Sequence, residues 1–330
     1  MMPPKILVIS LGGTITMTRE AGAGITPTLS AEELVRDVPG IESVATIEAT
    51  SLLRMPGASL TLENLLELVA RIDAALTSGT AGVVVVQGTD TIEETAYVLD
   101  ILVRSRGAVV VTGAMRGAQA AGADGPANML AAATVAANPR AVDMGALVVL
   151  NDQIHAARHV QKSHTALPST FVSPSAGPLG LVSEGQARFY SRPSRGPRVT
   201  WTVDGADHAV ALVGVGLGDD GRVLSALPKL GYRGAVLMAM GAGHVPAAFV
   251  PAVKELVGIM PVVLASRVPT GPTFVHTYGF PGSETDLLSV GIISAGGLSA
   301  VKARLLLMLL LRQSMERRDI ERAFEAQTWP

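Results

Sequence analysis

In the first half of the chain four short blocks are almost wholly apolar: residues 6–10, 83–86, 108–112 and 146–150. A strand covered on both faces carries apolar side chains at successive positions, so these blocks predict strands of a buried parallel sheet. Longer amphipathic segments at 30–38, 60–76, 91–104 and 127–137 separate them and predict helices. Thr91, followed three residues later by Glu94, predicts a capping box that opens a helix directly after the second strand. Strand–helix alternation of this kind predicts an α/β fold with a mostly parallel sheet flanked by helices.

The pattern breaks at 190–203, YSRPSRGPRVTWTV, where Pro193, Gly196 and Pro197 stand among Arg192, Arg195 and Arg198. Such a stretch reads as a linker. Apolar blocks then resume at 209–215, 234–240 and 260–266, followed by one long helical pattern over 299–327. The expected organisation is a larger N-terminal α/β domain over 1–190, a linker over 191–204 and a smaller C-terminal α/β domain over 205–330.

Composition narrows the function classes. Of 330 residues 48% are hydrophobic, enough for a large core and too many for a disordered chain. Lys and Arg number 26 against 28 Asp and Glu, a net charge of −2, without the basic excess of a nucleic-acid binder. With no cysteine, disulfides, thiol nucleophiles and Cys-ligated zinc are excluded. The aliphatic block 305–311, between Arg304 and Arg312, is far shorter than the ~20 residues of a membrane span and reads as a buried helix. The start, MMPPKILVIS, has no basic segment leading into a long apolar one, so a cytoplasmic protein is expected.

Ligands of open α/β sheets bind beyond the carboxyl ends of the strands. There the chain reads Gly12-Gly13-Thr14 after the first block and Gln87-Gly88-Thr89-Asp90-Thr91 after the second. After the third it reads Gly113-Ala114-Met115-Arg116, and after the fourth Asn151-Asp152, with Lys162 ten residues on. Glycine admits a ligand close to the backbone. A threonine hydroxyl is a poor nucleophile until a base takes its proton. Lys162, oriented by Asp90, is a candidate base, and backbone N–H groups at Thr89 and Ala114 are candidate oxyanion donors. Taken alone, Gly-Gly-Thr after a strand is a turn, Gly-Thr-Asp before a helix a cap, and a lone lysine a solvated charge. Spacing by itself leaves a hydrolase as one reading among several.

Longer motifs change that balance. LGGTI at 11–15 and QGTDTIEETAYVLD at 87–100 together resemble the two signatures of the bacterial-type L-asparaginase family. VVVTGAMR at 109–116, ADGPAN at 123–128, VLND at 149–152, ASRVPTG at 265–271 and the helix at 297–307 also resemble it, in the family's order over nearly the whole chain. The resemblance implies a two-domain amidohydrolase that converts L-asparagine to L-aspartate and ammonia through an acyl-enzyme. Thr14 matches the family's nucleophile. Thr89, Asp90 and Lys162 match its second catalytic group, with Asp90 also on the substrate amino group. Gly13, Gly88 and the Thr89 and Ala114 backbone match substrate and oxyanion contacts. Members need no metal or organic cofactor and form tetramers of intimate dimers, so a homotetramer with an amide substrate, and without nucleic acid or membrane partners, is implied.

Three positions depart from the family pattern. The loop 19–27, REAGAGITP, has no tyrosine where members often carry one. The substrate-carboxylate serine aligns at Gly57, within Met55-Pro56-Gly57-Ala58-Ser59, leaving the Gly57 or Ala58 backbone or the Ser59 hydroxyl to serve. The asparagine lent by a partner subunit aligns at His244, and the partner's glutamate at Glu284. These changes bear on the choice between asparagine and glutamine. A glutaminase-asparaginase of broad preference is therefore the alternative within the class. Two rivals come from outside it. Gly216-Leu217-Gly218-Asp219-Asp220-Gly221 satisfies a dinucleotide-binding G-x-G-x-x-G but lacks a long following helix and an acid about 20 residues on. His155 and His159, with His164 nearby, are spaced for one helix face but lack the glutamate of H-E-x-x-H.

Overall fold

The structure, a computed structural model, describes residues 3–19, 25–27, 29–193, 195–201 and 208–327. The chain divides into two compact units, Met1–Arg198 and Val199–Pro330.

Unit 1 is built on an eight-stranded mixed sheet. In chain order its strands and helices begin with β1 (Lys5–Ser10), a short ribbon of β2 (Met17–Arg19) and β3 (Ile25–Pro27), α1 (Ala31–Arg36) and β4 (Thr46–Ser51). They continue with α2 (Leu62–Thr77), β5 (Gly82–Val86), α3 (Ile92–Leu102), β6 (Ala108–Thr112), α4 (Gly125–Ala136) and β7 (Ala146–Leu150). The remaining strands are β8 (Gln153–Ala156), β9 (Gln161–Lys162), β10 (Phe171–Val172), β11 (Gly180–Ser183) and β12 (Gln186–Phe189). The order across the large sheet is β12-β11-β8-β7-β6-β5-β1-β4. From β4 to β7 the strands are parallel; β8, β11 and β12 are added antiparallel.

The parallel strands β5, β6 and β7 are buried at every position, as their unbroken apolar sequence requires. One face packs Ile6, Val8, Val84 and Val110 against Leu34 of α1 and Met129 and Ala132 of α4. Helices α2 and α3 pack on β5, β6 and β7 and on each other. The β4 edge strand was not expected from sequence, because its TIEATS alternates between exposed and half-buried positions and carries no apolar run. From β1 the chain goes outward to β4 and then returns past β1 to β5. The order of connection therefore reverses between β1 and β5, which makes the gap beyond their carboxyl ends the sheet's switch point.

Three sequence expectations are corrected here. Asn151 and Asp152 do not face a ligand as a parallel strand end would. Both adopt the left-handed conformation (φ 49° and 59°) in the two-residue turn that returns β7 into β8, with Leu150 paired to Gln153. His155 sits on β8 and not on a helix, so it shares no helix face with His159. The pattern at 299–327 is two helices, α7 (Ala300–Arg312) and α8 (Arg317–Gln327). Ser314, at φ 53°, closes α7: its N–H donates to Leu311 O and the Met315 N–H to Leu310 O, a paired bonding that ends a helix.

Unit 2 contains β13 (Val210–Gly214), β14 (Gly234–Ala239), α5 (Val250–Val257), β15 (Val262–Ser266), α6 (Glu284–Ser289), β16 (Ile293–Ser294), α7 and α8. Its four strands form one parallel sheet in the order β13-β14-β15-β16. Leu237, Leu264 and Leu224 pack with Phe249, Val253 and Leu256 on one face, and α7 lies against β13, β14 and β15. The aliphatic block at 305–311 belongs to α7, and no described helix is long and apolar enough to cross a membrane. The G-x-G-x-x-G stretch follows β13 but leads only into a single turn, Leu224–Ala226, with Leu217 fully exposed. It therefore lacks the helix whose N-terminus would hold a pyrophosphate.

The arginines of the 190–203 stretch are anchored to unit 1. Arg192 donates to the carbonyls of Arg140 and Val142, Arg195 to that of Val103, and Arg198 to that of Arg104. Val103 and Arg104 lie at the carboxyl end of α3, where carbonyls lack partners within the helix.

His155 is 1% exposed, with Nδ1 2.9 Å from Ser173 Oγ and Nε2 without a hydrogen-bond partner. Burial lowers its pKa to about 4. The ordinary histidine value of the unfolded chain is about 6.5, so between these values the unfolded state binds more protons and stability is lost as pH falls. Denaturant titrations should show this acid loss, on the order of 3 kcal/mol between pH ~6.5 and ~4 at most. His155→Gln, which keeps a partner for Ser173, should flatten the curve over that interval.

Candidate active site

The site begins with backbone, at the switch point between β1 and β5. Gly13 follows β1 with φ 92°, and a Cβ there would stand 2.0 Å from Gly88 N, which no side chain tolerates. Gly57 lies on the same neighbour: its Cβ would meet Gly88 O at 2.8 Å. Three loops thus converge, each presenting a glycine where it touches the next. Because Ser10 and Val86 end β1 and β5 in register, this contact brings together the turns that begin at Thr14 and Thr89. Thr14 opens a short turn, Thr14–Thr16, and is half-buried; Thr89 opens the turn Thr89–Thr91 and is buried.

The close approach at Gly57 also settles which neighbouring position can carry a side chain. A serine at 57 would collide with the Gly88 carbonyl, so a carboxylate-binding hydroxyl cannot stand there in this backbone. Ala58 and Ser59 follow in the turn Gly57–Ser59 and are both exposed. Of the three, only Ser59 offers a hydroxyl.

Lys162, on the two-residue strand β9, reaches back to the crevice. Its Nζ donates to Thr89 Oγ1 at 2.9 Å and to Asp90 Oδ1 at 2.9 Å. The lysine side chain is 18% exposed against 64% for Asp90, so the ammonium is largely withdrawn from water while the carboxylate faces outward. A solvated surface lysine would hold neither contact persistently. A cavity of about 340 Å³, lined by Asp90, Lys162, Ser163, His164 and Thr165, opens on the outer side of this pair.

Ala114, two residues beyond β6, is buried. Its loop is held by residues not singled out from the sequence for that purpose. Asp124 accepts from the N–H groups of Met115 and Arg116 at 3.0 and 2.8 Å. Buried Asn128 donates to Gly113 O and to Asp124 Oδ2 while its Oδ1 accepts from Asn151 N. A polar side chain on α4 thus ties the ends of β6 and β7 together.

The capping box expected at Thr91 and Glu94 is not formed: Thr91 stands at the N-cap of α3 without a side-chain capping bond. Its hydroxyl instead donates to Gly57 O at 2.9 Å and accepts from Gln87 Nε2 at 3.1 Å. Thr91 therefore clasps the Gly57 loop onto the Gly88 loop. The boxes that do form are Ser30 with Glu33 and Thr61 with Asn64, on α1 and α2.

His244 and Glu284 lie in unit 2 and meet there. His244 Nε2 is 3.3 Å from Glu284 Oε2, close enough for charge interaction but not aligned as a hydrogen bond. Glu284 is fully buried, and its Oε1 accepts from the N–H groups of Thr277 and Tyr278 at 2.8 and 2.7 Å. Burial works to raise the carboxyl pKa, but those N–H donors, its own backbone N–H and His244 outweigh it and hold the group below its ordinary value. The His244 ring packs edge-on to Tyr278 and Phe280. Sequence reading named both residues without showing that they form a pair. The loop 19–27, with its missing tyrosine, lies largely outside the described residues. Among the described residues no group of three or more His, Asp or Glu side chains is placed to hold a metal.

Comparison with known proteins matches residues 5–195 to the N-terminal asparaginase domain and residues 209–324 to the glutaminase/asparaginase C-terminal domain. The chain is similar to a probable periplasmic L-asparaginase of Haemophilus influenzae, 33% identical over 98% of this chain and 93% of that protein. It is also similar to the glutaminase-asparaginase of Pseudomonas fluorescens, 30% identical over 97% and 90%. Among solved structures, a probable cytoplasmic L-asparaginase from Campylobacter jejuni superposes with a TM-score of 0.86 at 31% identity, covering 98% of this chain and 99% of that one.

The Thr91 clasp is open to a direct test. Thr91→Val would remove one of two hydrogen bonds at the Gly57 carbonyl, which keeps the Leu60 N–H, and one of two from the Gln87 amide, which keeps Gly88 O; two lost bonds should cost about 1–3 kcal/mol in urea unfolding. Thr91→Ser, which keeps the hydroxyl, should recover most of that loss.

Proposed function

The chain belongs to the asparaginase family of amidohydrolases, and on that premise we propose that it hydrolyses the side-chain amide of L-asparagine to L-aspartate and ammonia, with Thr14 as nucleophile. The observation that carries this reading is the placement of Lys162 Nζ 2.9 Å from both Thr89 Oγ1 and Asp90 Oδ1 beside the turn that holds Thr14.

In the first half-reaction the Thr14 oxygen bonds to the amide carbon, the C–N bond breaks, and the hydroxyl proton leaves with the ammonia. The developing oxyanion faces the backbone N–H groups of Thr89 and Ala114, where preorganised donors favour the transition state over the ground state. In the second half-reaction a water held by Thr89 bonds through its oxygen to the ester carbon; its proton passes by way of the Thr89 hydroxyl, hydrogen-bonded to Lys162, to the Thr14 oxygen as the ester C–O bond breaks and aspartate leaves. Asp90, exposed toward the crevice, receives the substrate ammonium, and Gly57, Ala58 and Ser59 receive its carboxylate.

Asparagine and glutamine differ by one methylene, worth only ~1–3 kcal/mol of discrimination in a pocket. A relative named glutaminase-asparaginase supports broad preference as the second reading. Ammonia release from both amides, in L and D forms, decides between them.

The acting unit is a homo-oligomer, a tetramer of intimate dimers, in which His244 and Glu284 complete the site of a neighbouring copy. The exposed rings of Phe274, Tyr278 and Phe280 around that pair support a surface meant to be covered.

Two sets of variants test these assignments. Thr14→Ala should form no acyl-enzyme by mass spectrometry. Thr89→Val and Lys162→Met should fold normally and lose at least about a hundredfold in kcat, the scale of a lost general base; a drop below about threefold for Lys162→Met removes its role. For the shared site, Thr14→Ala chains mixed with Glu284→Gln chains, each inactive alone, should regain part of the activity after subunit exchange. A fully active monomer by sedimentation would overturn the shared site and leave the threonine chemistry standing.

A further inference from the structure

Lys162 stands on a strand of only two residues, paired to an equally short one: Gln161 faces Val172 and Lys162 faces Phe171. Two residue pairs are too few to fix a long side chain within the tolerance that proton transfer needs. The loop that joins the two strands is organised around His164.

The His164 ring accepts two hydrogen bonds at Nδ1, from the backbone N–H groups of Ala166 at 3.0 Å and Leu167 at 3.2 Å. Its own backbone is gripped by Thr170, which is 1% exposed: Thr170 Oγ1 accepts from His164 N at 2.7 Å and donates to His164 O. Ser163 adds two donors to Thr170 O, its N–H and its hydroxyl, both at 2.8 Å. Residues 163–170 therefore form a closed buckle whose two ends are Lys162 and Phe171. A nitrogen that accepts from two N–H donors carries no proton of its own, so the ring is the neutral form with hydrogen on Nε2.

We propose that His164 is a positioning residue for Lys162: its neutral imidazole closes the 163–170 loop and so seats Nζ between Thr89 and Asp90. The inference rests on the role given to Lys162 above. The charged groups that face this loop are Asp90 and Lys162, which line the cavity with His164, and Glu93, whose carboxylate accepts from Lys162 N at 3.4 Å.

Asparagine at this position supplies the control. Its side-chain oxygen can accept from the N–H groups two and three residues on, as asparagine does in turns. His164→Ala should lower kcat about ten- to a hundredfold with KM within about twofold, the effect of a displaced catalytic group on a bound substrate. His164→Asn should restore most of that kcat. Independently of turnover, nitrogen-15 spectra of the wild-type ring should show hydrogen on Nε2, and amide exchange at Ala166 and Leu167 should be faster in His164→Ala than in the wild-type chain. A wild-type kcat for His164→Ala, or no recovery of kcat in His164→Asn, overturns the positioning role. So does hydrogen on Nδ1 at neutral pH, which is read without the variants and stands even if His164→Ala fails to fold. If instead Lys162→Met is fully active, the reading of Lys162 has failed, and the spectra still report whether the buckle exists.

Discussion

Everything at the crevice depends on one steric fact: the backbones of Gly13, Gly57 and Gly88 touch with no space for a β-carbon between them. A sheet switch point alone provides only a gap between diverging loops. The glycine contact converts that gap into a fixed juxtaposition of the turns that start at Thr14 and Thr89. The hydrogen bonds of Gln87 and Thr91 hold the third loop against them. Polar side chains are thus used around the site to fasten backbone to backbone, as Asp124 and Asn128 do for the Ala114 loop.

The buried parallel strands were legible from sequence because continuous apolar runs have little other physical meaning in a chain of this composition. Blocks 108–112 and 146–150 coincide with β6 and β7. Edge elements were not legible. β4 alternates between exposed and half-buried positions, and the antiparallel strands β8, β11 and β12 are only four residues each, so none carries an apolar run long enough to read. The break between α7 and α8 was missed because Ser314 adopts a conformation more usual for glycine, while the apolar pattern continues on both sides.

At the site, residue types were readable and connections were not. Thr14, Thr89, Asp90 and Lys162 stood out through motifs, yet nothing in the sequence shows that Lys162 reaches both Thr89 and Asp90. Thr91 was read as a cap since its spacing to Glu94 fits one, and the structure spends its hydroxyl on a distant carbonyl instead. Local patterns compete with tertiary partners, and here the tertiary partner prevails. The same holds for His244 and Glu284, forty residues apart in sequence order and joined through a loop whose backbone N–H groups hold the carboxylate.

The strand order of unit 1 also has a consequence for the order in which the protein assembles. From β7 to β12 the large sheet grows by turning back on itself, with partners close in the chain. The other end is different: β1 sits between β4 and β5 and cannot complete its pairing until both have formed. Contacts between distant segments form slowly because loop-closure entropy is lost before they reward it. β1 is therefore among the last strands to be enclosed, and it leads into the turn that begins at Thr14. Refolding chains should regain secondary structure before they regain turnover, since the crevice closes only when β1 finds its place.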